Sequence, residues 1–328
     1  MSQSMTIVLA GNPNCGKTAV FNALTRSHQQ VGNWPGVTVD KKYGYFQHRG
    51  TKVKVVDLPG VYSTSIISEE SAIDEKVACQ YLLSGEADVV VNIIDGSNLE
   101  RNLYLTLQLL EMDIPTIIAV NMMDIVKQNG LEINLNQLSK LLNCPTVSLI
   151  ARQNKGVDLL KDMIVIIKKD MLPQFDLPLP AEIKKATHLL SKIIMTGSAP
   201  RAAWLALRLL EGDYFAKQAV GQSVLKVVES EIQSIETKLN EESDILIANA
   251  RYIFVNQTVN QVTRLTKTPC QSLTQWIDHI VLNRFLGIPI FLGIMYLMFL
   301  FAINIGGAFQ GFLISVATPF LPMVYHIY

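Results

Sequence analysis

The feature that constrains this chain most is Gly11-Asn-Pro-Asn-Cys-Gly16-Lys17-Thr18, which has the spacing Gly, four residues, Gly, Lys, Thr. An apolar run, Met5–Ala10, leads into it, and Ala19–Thr25 reads as the start of a helix. In that strand–loop–helix setting the two glycines let the backbone bend close around a phosphate chain. Successive N–H groups and the helix N-terminus then point at negative charge. Lys17 is placed to reach the β/γ-phosphates, and the Thr18 hydroxyl to ligate Mg²⁺. Asn12, Pro13, Asn14, Cys15 and Ala19 belong to the same expected cradle.

Over about the first 165 residues, short apolar runs alternate with helical patterns, as in a mostly parallel sheet with crossover helices. The expected strands are Thr6–Ala10, Val53–Asp57, Val89–Asp95, Thr116–Asn121 and Thr146–Ile150. Functional residues belong just past the carboxyl ends of such strands, and two further motifs fall there. Asp57-Leu58-Pro59-Gly60 follows the second strand. The Asp57 carboxylate can hold Mg²⁺ through its water shell, and the Gly60 N–H can meet a γ-phosphate. Asn121-Met122-Met-Asp124 follows the fourth strand. A carboxylate at Asp124 accepts the N1–H and 2-amino hydrogens of guanine, a pairing that adenine does not offer.

In this order the three motifs resemble those of small GTP-binding proteins, over about half the chain. The resemblance implies GTP/GDP and Mg²⁺ as cofactors and adds residues. Thr38, within Gly36-Val37-Thr38, looks like the switch I threonine that closes over Mg²⁺ and the γ-phosphate. Ile150-Ala151-Arg152 looks like the last guanine loop, with the Ala151 N–H expected at the guanine O6. Two positions depart from the pattern: Ile150 replaces the usual Ser, and Met122 the usual Lys. A third concerns hydrolysis, since Val61 stands where many Ras-like proteins place the Gln that orients the attacking water. Slow hydrolysis is therefore expected, carried by Asn14, Lys17, Thr38 and Gly60. In a subset of GTPases an Asn at the Asn14 position helps hold K⁺ against the phosphates. Here the backbone of Gly32 and Trp34 would complete that ion's cage.

Composition divides the rest. Lys+Arg and Asp+Glu number 28 each, and the zero balance argues against a generally basic nucleic-acid binder. Four separated cysteines, Cys15, Cys79, Cys144 and Cys270, suggest neither a disulfide framework nor a zinc site, and fit a reducing compartment. The first residues do not read as a signal peptide. The expected organisation is an α/β P-loop GTPase domain over 1–170, a Pro-rich linker over 171–180 and an all-α helical domain over 181–266. A hinge and amphipathic interfacial helix are expected over 267–284, and a transmembrane helix over 285–305. Residues 306–328 read as a second span or a re-entrant segment, in a chain that looks like a fragment of a longer membrane protein. The glutamates Glu229, Glu231, Glu236, Glu241 and Glu242 read as a solvated face. His188 and His279 are lone histidines, expected to be structural or solvated. From Phe285 to Tyr328 there is no Asp, Glu, Lys or Arg, while Arg264, Lys267 and Arg284 precede that stretch. This places the N-terminal side in the cytoplasm.

The combination resembles the FeoB family of prokaryotic ferrous iron transporters. The stretches that carry the likeness are Gly32-Asn-Trp-Pro-Gly-Val-Thr38, Asp57-Leu-Pro-Gly-Val-Tyr-Ser63, Asp244-Ile-Leu-Ile-Ala-Asn-Ala-Arg-Tyr252 and Asp278-His-Ile-Val-Leu-Asn-Arg-Phe-Leu-Gly-Ile-Pro289. The resemblance implies a GTP-binding domain and a helical domain in the cytoplasm, relaying nucleotide state to an Fe²⁺ pathway in the inner membrane. Membrane lipid, small accessory proteins of the ferrous transport system and a second copy of the chain are the implied partners. Two alternatives belong to other classes: a GTPase of RNA modification or ribosome assembly, and a membrane-anchored signalling GTPase without transport. Zero net charge and the uncharged tail speak against the first.

Overall fold

The computed structural model describes residues 4–26, 29–34, 37, 39–66, 73–167, 175–195, 201–266, 281 and 287–317. Residues 1–268 and 269–328 form two separate units. The first opens with β1 (Ser4–Gly11), α1 (Lys17–Thr25), β2 (Gln29–Asn33), β3 (Asp40–His48) and β4 (Thr51–Asp57). It continues with α2 (Ile73–Leu83), β5 (Val89–Asp95), α3 (Leu99–Leu110), β6 (Thr116–Asn121) and α4 (Met123–Gln128). β7 (Leu131–Ile133), α5 (Leu135–Leu142), β8 (Thr146–Ser148) and α6 (Val157–Ile166) complete the α/β part.

Seven strands make one sheet in the order β2-β3-β4-β1-β5-β6-β8. From β4 to β8 neighbours run parallel, and β2 and β3 are antiparallel additions at one edge. Ile7, Val8, Leu9, Val89, Val90, Val91, Ile117 and Ile118 are fully buried, as expected of strands covered on both faces. β1 lies between β4 and β5, so the chain winds away from it in both directions. That reversal opens a crevice beyond the carboxyl ends of the strands.

β2 and β3 are not among the five expected strands. Arg49 and Gly50, at φ 46° and 80°, turn β3 into β4 as a tight hairpin. Positive φ at both turn residues suits a primed turn, but Arg-Gly is a weaker sequence signal than Asn-Gly. β8 is also shorter than expected, ending at Ser148 rather than Ile150.

After the α/β part come α7 (Ala181–Met195), α8 (Ala202–Leu210), α9 (Tyr214–Gln218), α10 (Gln222–Leu239) and α11 (Ser243–Val262). Their apolar faces are continuous with the core beneath the sheet: Val8, Val56 and Val90 share one cluster with Ile183, Leu190, Trp204, Leu207 and Ile247. Alongside them, Leu177 is buried and Phe175 meets Phe254 edge-on at 5.3 Å. The described part of the Pro-rich stretch is thus packed rather than free. After α11, β9 (Thr263–Leu265) pairs antiparallel with β7.

In the second unit α12 (Gly287–Ala317) is one helix of 31 residues. Its window Gly287–Asn304 has a mean hydropathy of 2.0, with none of it buried, long and apolar enough to cross a bilayer by length and composition. The helix passes the expected boundary at 305, through Gly306 and Gly307, so 306–317 is not a separate segment here. An uncharged apolar run can hold a helix through a glycine pair, and glycine is common in such segments. The expected hinge and amphipathic helix lie outside the described residues apart from Val281, as do Thr38 and Gly36.

Candidate nucleotide site

β1 delivers its last residue, Gly11, into a loop that wraps the N-terminus of α1. Gly16 caps that helix at φ 88°, a left-handed conformation in which a side chain would be strained. A Cβ there would also collide with the Asn121 side-chain nitrogen. The loop lines a cleft of about 730 Å³ with Asn12, Pro13, Asn14, Gly16, Lys17, Thr18 and Ala19. Asn12 Nδ2 donates to the Arg101 carbonyl at 3.2 Å, tying the loop to α3. Gly11 and Cys15 stand behind the cleft. Burial pushes the Cys15 thiol up to about 11, Lys17 notwithstanding, so it is a packing group rather than a nucleophile.

Gly60 lines the cleft opposite Pro13, and a Cβ on it would lie 3.2 Å from the Pro13 Cα. Asp57 ends β4 and pairs with Lys17, Nζ to Oδ1 at 2.5 Å. Burial raises the Asp57 carboxyl above its ordinary range, and the Lys17 ammonium only partly opposes this. Thr18 is exposed at the rim. A hydroxyl and a carboxylate are hard oxygen donors of the kind Mg²⁺ takes, so the donor set fits that ion once Lys17 turns toward phosphate.

The base end of the cleft is built by Asn121, Met122, Asp124, Ile150, Ala151 and Arg152. Asn121 joins the two ends: its Nδ2 donates to the Cys15 carbonyl at 3.0 Å, and its Oδ1 accepts the Ala151 N–H at 3.0 Å. That second bond engages the N–H expected at the guanine O6, so a base contact there has to share it. Met122 sits at φ 61° and turns the chain so that Asp124 enters the cleft from the first turn of α4.

Other expected residues lie elsewhere. Leu58 is buried, its N–H donating to the Leu9 carbonyl at 3.1 Å, and Pro59 is half-buried. Val37 packs on the core. Gly32 is paired with Lys41 in the β2–β3 ladder. The Trp34 ring is buried edge-on to Tyr81 at 5.1 Å, beneath the Lys41 ammonium. Neither Gly32 nor Trp34 lines the cleft beside Asn14, so the expected K⁺ cage is not assembled in this arrangement. Val61 is buried in the core, its N–H donating to the Gly11 carbonyl at 3.3 Å. This gives a packing reason for an apolar residue where many Ras-like proteins use Gln. The sequence reading missed Asp74 and Ile125, which also line the cleft. It missed Arg208 and Arg251 too. Both are fully buried, and their signal was a charge inside an otherwise apolar helical run.

A mostly parallel sheet, a phosphate-type loop beside Asp57–Gly60, and Asn121 and Asp124 at the far end of one cleft define a P-loop GTPase-like domain, here followed by a helical domain. The chain belongs to the FeoB family. Residues 5–164 match the family described as ferrous iron transport protein B, and residues 178–264 match the FeoB cytosolic helical domain. The Fe(2+) transporter FeoB of Salmonella typhimurium is 42% identical over 316 residues, 94% of this chain and 40% of the relative. That of Escherichia coli K12 is 43% identical over 314 residues, with the same coverage. The chain thus spans 40% of the length of these curated relatives. Among solved structures, the cytosolic domain of L. pneumophila FeoB is 35% identical with a TM-score of 0.70, covering 79% of this chain and 100% of its own. A GDP-bound mutant of the S. thermophilus FeoB G-domain is also 35% identical, with a TM-score of 0.72 and the same coverage.

Proposed function

We propose that the cleft binds GTP and GDP and hydrolyses GTP slowly, and that in the longer protein its nucleotide state governs Fe²⁺ uptake across the inner membrane. The observation that carries this is the double hydrogen bond of Asn121, which ties the Gly11–Thr18 loop to Ala151 in one cleft with Asp124. The relatives named as Fe(2+) transporters supply the transport half of the reading.

Gly11–Ala19 would cradle the phosphates, with Lys17 leaving Asp57 for the β/γ-phosphates. Mg²⁺, when bound, would neutralise charge on their oxygens, held by Thr18, Asp57 and the switch threonine Thr38. Gly36, Val37 and Thr38 would close over this end, while Asp124, Met122 and the Ile150–Arg152 loop hold guanine. Val61 has no polar group for the attacking water, which supports slow turnover. Asn14, exposed at φ 66°, is the loop side chain available to a K⁺ beside the phosphates, once Gly32 and Trp34 rearrange to join it. Equal GTPase rates in KCl and NaCl would remove that role. The α/β and helical domains would lie in the cytoplasm, with α12 in lipid.

The deciding experiment is Fe²⁺ uptake by vesicles carrying the complete protein, with GTP, GDP or no nucleotide inside. Uptake should depend on GTP, and Asp124→Asn should abolish the preference for GTP over other nucleotides. Uptake indifferent to nucleotide would refute the gating role.

A further inference from the structure

The residues just after Gly60 form no regular structure, yet they are bonded to the rest of the unit at several points. Val61 fixes one end of the stretch, with its buried side chain and its bond to the Gly11 carbonyl. At the other end, Ile66 N–H donates to Asp213 Oδ2 at 2.9 Å, and Tyr214 N–H donates to the Ile66 carbonyl at 2.7 Å. Between them, Arg208 Nη2 donates to Thr64 Oγ1 at 2.7 Å and Arg208 Nη1 to Ser65 Oγ. Gln108 of α3 closes the set, its Oε1 accepting the Thr64 N–H at 2.8 Å and its Nε2 donating to Ser65 Oγ at 3.1 Å.

Three of these partners, Arg208, Asp213 and Tyr214, belong to the helical domain. Arg208 is wholly buried, and Glu211 meets it at 3.1 Å. A guanidinium kept out of water must be paired to be tolerated, and two of its acceptors are hydroxyls of the loop that carries Gly60. Fixing the loop four to six residues beyond Gly60 limits where the Gly60 N–H can sit, and Pro13 leaves it little room to shift inward. A hydrogen-bond donor aimed at developing charge helps only if it is held in place beforehand.

We propose that Arg208 and Asp213 are positioning residues for GTP hydrolysis, acting on Gly60 through Thr64–Ile66. The helical domain would then set turnover at the γ-phosphate as well as respond to it. Linkage requires the effect on nucleotide affinity to be reciprocal, while the effect on turnover is a separate consequence of where Gly60 is held. This rests on the reading of the cleft as a GTPase site.

The test uses the full 328-residue chain in detergent micelles, with Thr64→Val, Thr64→Ser and Arg208→Lys. Thr64→Val keeps the side-chain volume and removes one acceptor of Arg208, that of its Nη2, whereas Thr64→Ser keeps it. Losing one charge-assisted hydrogen bond corresponds to a fall on the order of tenfold. Thr64→Val and Arg208→Lys should therefore lower kcat, and affinity for a non-hydrolysable GTP analogue, by about that factor. GDP lacks the γ-phosphate that the Gly60 N–H would meet, so its affinity should stay within about twofold, and Thr64→Ser should restore kcat. The proposal is overturned if folded Thr64→Val turns over like the parent chain. It is equally overturned if GDP affinity falls in parallel, or if Ser fails where Val fails. A parent chain that neither binds nor hydrolyses GTP would instead defeat the reading of the cleft itself.

Discussion

Asp57 carries the clearest conflict of interest at the scale of single residues. Its carboxylate is buried against Lys17, and burial raises its protonation point above the ordinary value, which is about 3.9. A group whose folded value is raised opposes folding at pH above both values, and that penalty is relieved as pH falls through the folded value. The proposed Mg²⁺-nucleotide binding runs the other way, because it would need the charged form. Affinity for Mg²⁺-GTP should thus decline on acidification while the pH is still above the ordinary carboxylate range. Fluorescent-nucleotide titrations from about pH 7.5 to about pH 4 would show it, and a profile flat to the ordinary range would contradict the raised value. The identity of Asp57 was legible in the sequence because its motif follows a buried strand. Its partner was not, since Lys17 was assigned to phosphate, and only the fold shows the two side chains within bonding distance.

At the scale of elements, the helical domain is joined to the α/β part by a buried ion network. Arg251 of α11 donates to both Glu111 oxygens, at 2.8 and 2.9 Å, and to Glu211. Burial pushes the Glu211 carboxyl up, but Arg208 and Arg251 outweigh it and hold it below the usual range. Its contribution to stability is therefore present above the ordinary carboxylate value and lost as pH falls through the lowered one. Glu111→Ala would leave the buried guanidinium half-paired, and a loss of about 3–5 kcal/mol is expected on chemical denaturation. A loss below about 1 kcal/mol would show that solvent reaches the pair, as at surface ion pairs. The pairing within this network was not legible beforehand. The run Trp204–Leu210 announces a buried helix, but the apolar periodicity that reveals a helix does not reveal which charge faces inward, or what meets it. The β3–β4 hairpin escaped for a related reason, since Arg49 adopts positive φ without being the residue type that advertises it.

For the whole molecule, the order of parts was legible because each has its own composition: alternating strands and helices, then amphipathic helices, then an uncharged run. The packing of the described Pro-rich residues was not legible, since prolines report extended backbone but not whether Phe175 and Leu177 find a core. Among the described residues no group of three or more His, Cys, Asp or Glu could hold a metal. The two-stranded ribbon of β7 and β9 has a mechanical consequence. Leu265 pairs with Leu131, and both the N–H and the hydroxyl of Thr266 donate to the Gly130 carbonyl, at 2.8 and 3.0 Å. Gly130 lies six residues beyond Asp124, across the single short helix α4. Tension applied to the chain beyond Thr266 is therefore first borne by this three-rung fastening, and reaches Asn121–Asp124 through α4 before it loads Gly11–Thr18. A pull on that end of the unit would thus be felt at the Asp124 end of the cleft before it is felt at the Lys17 end.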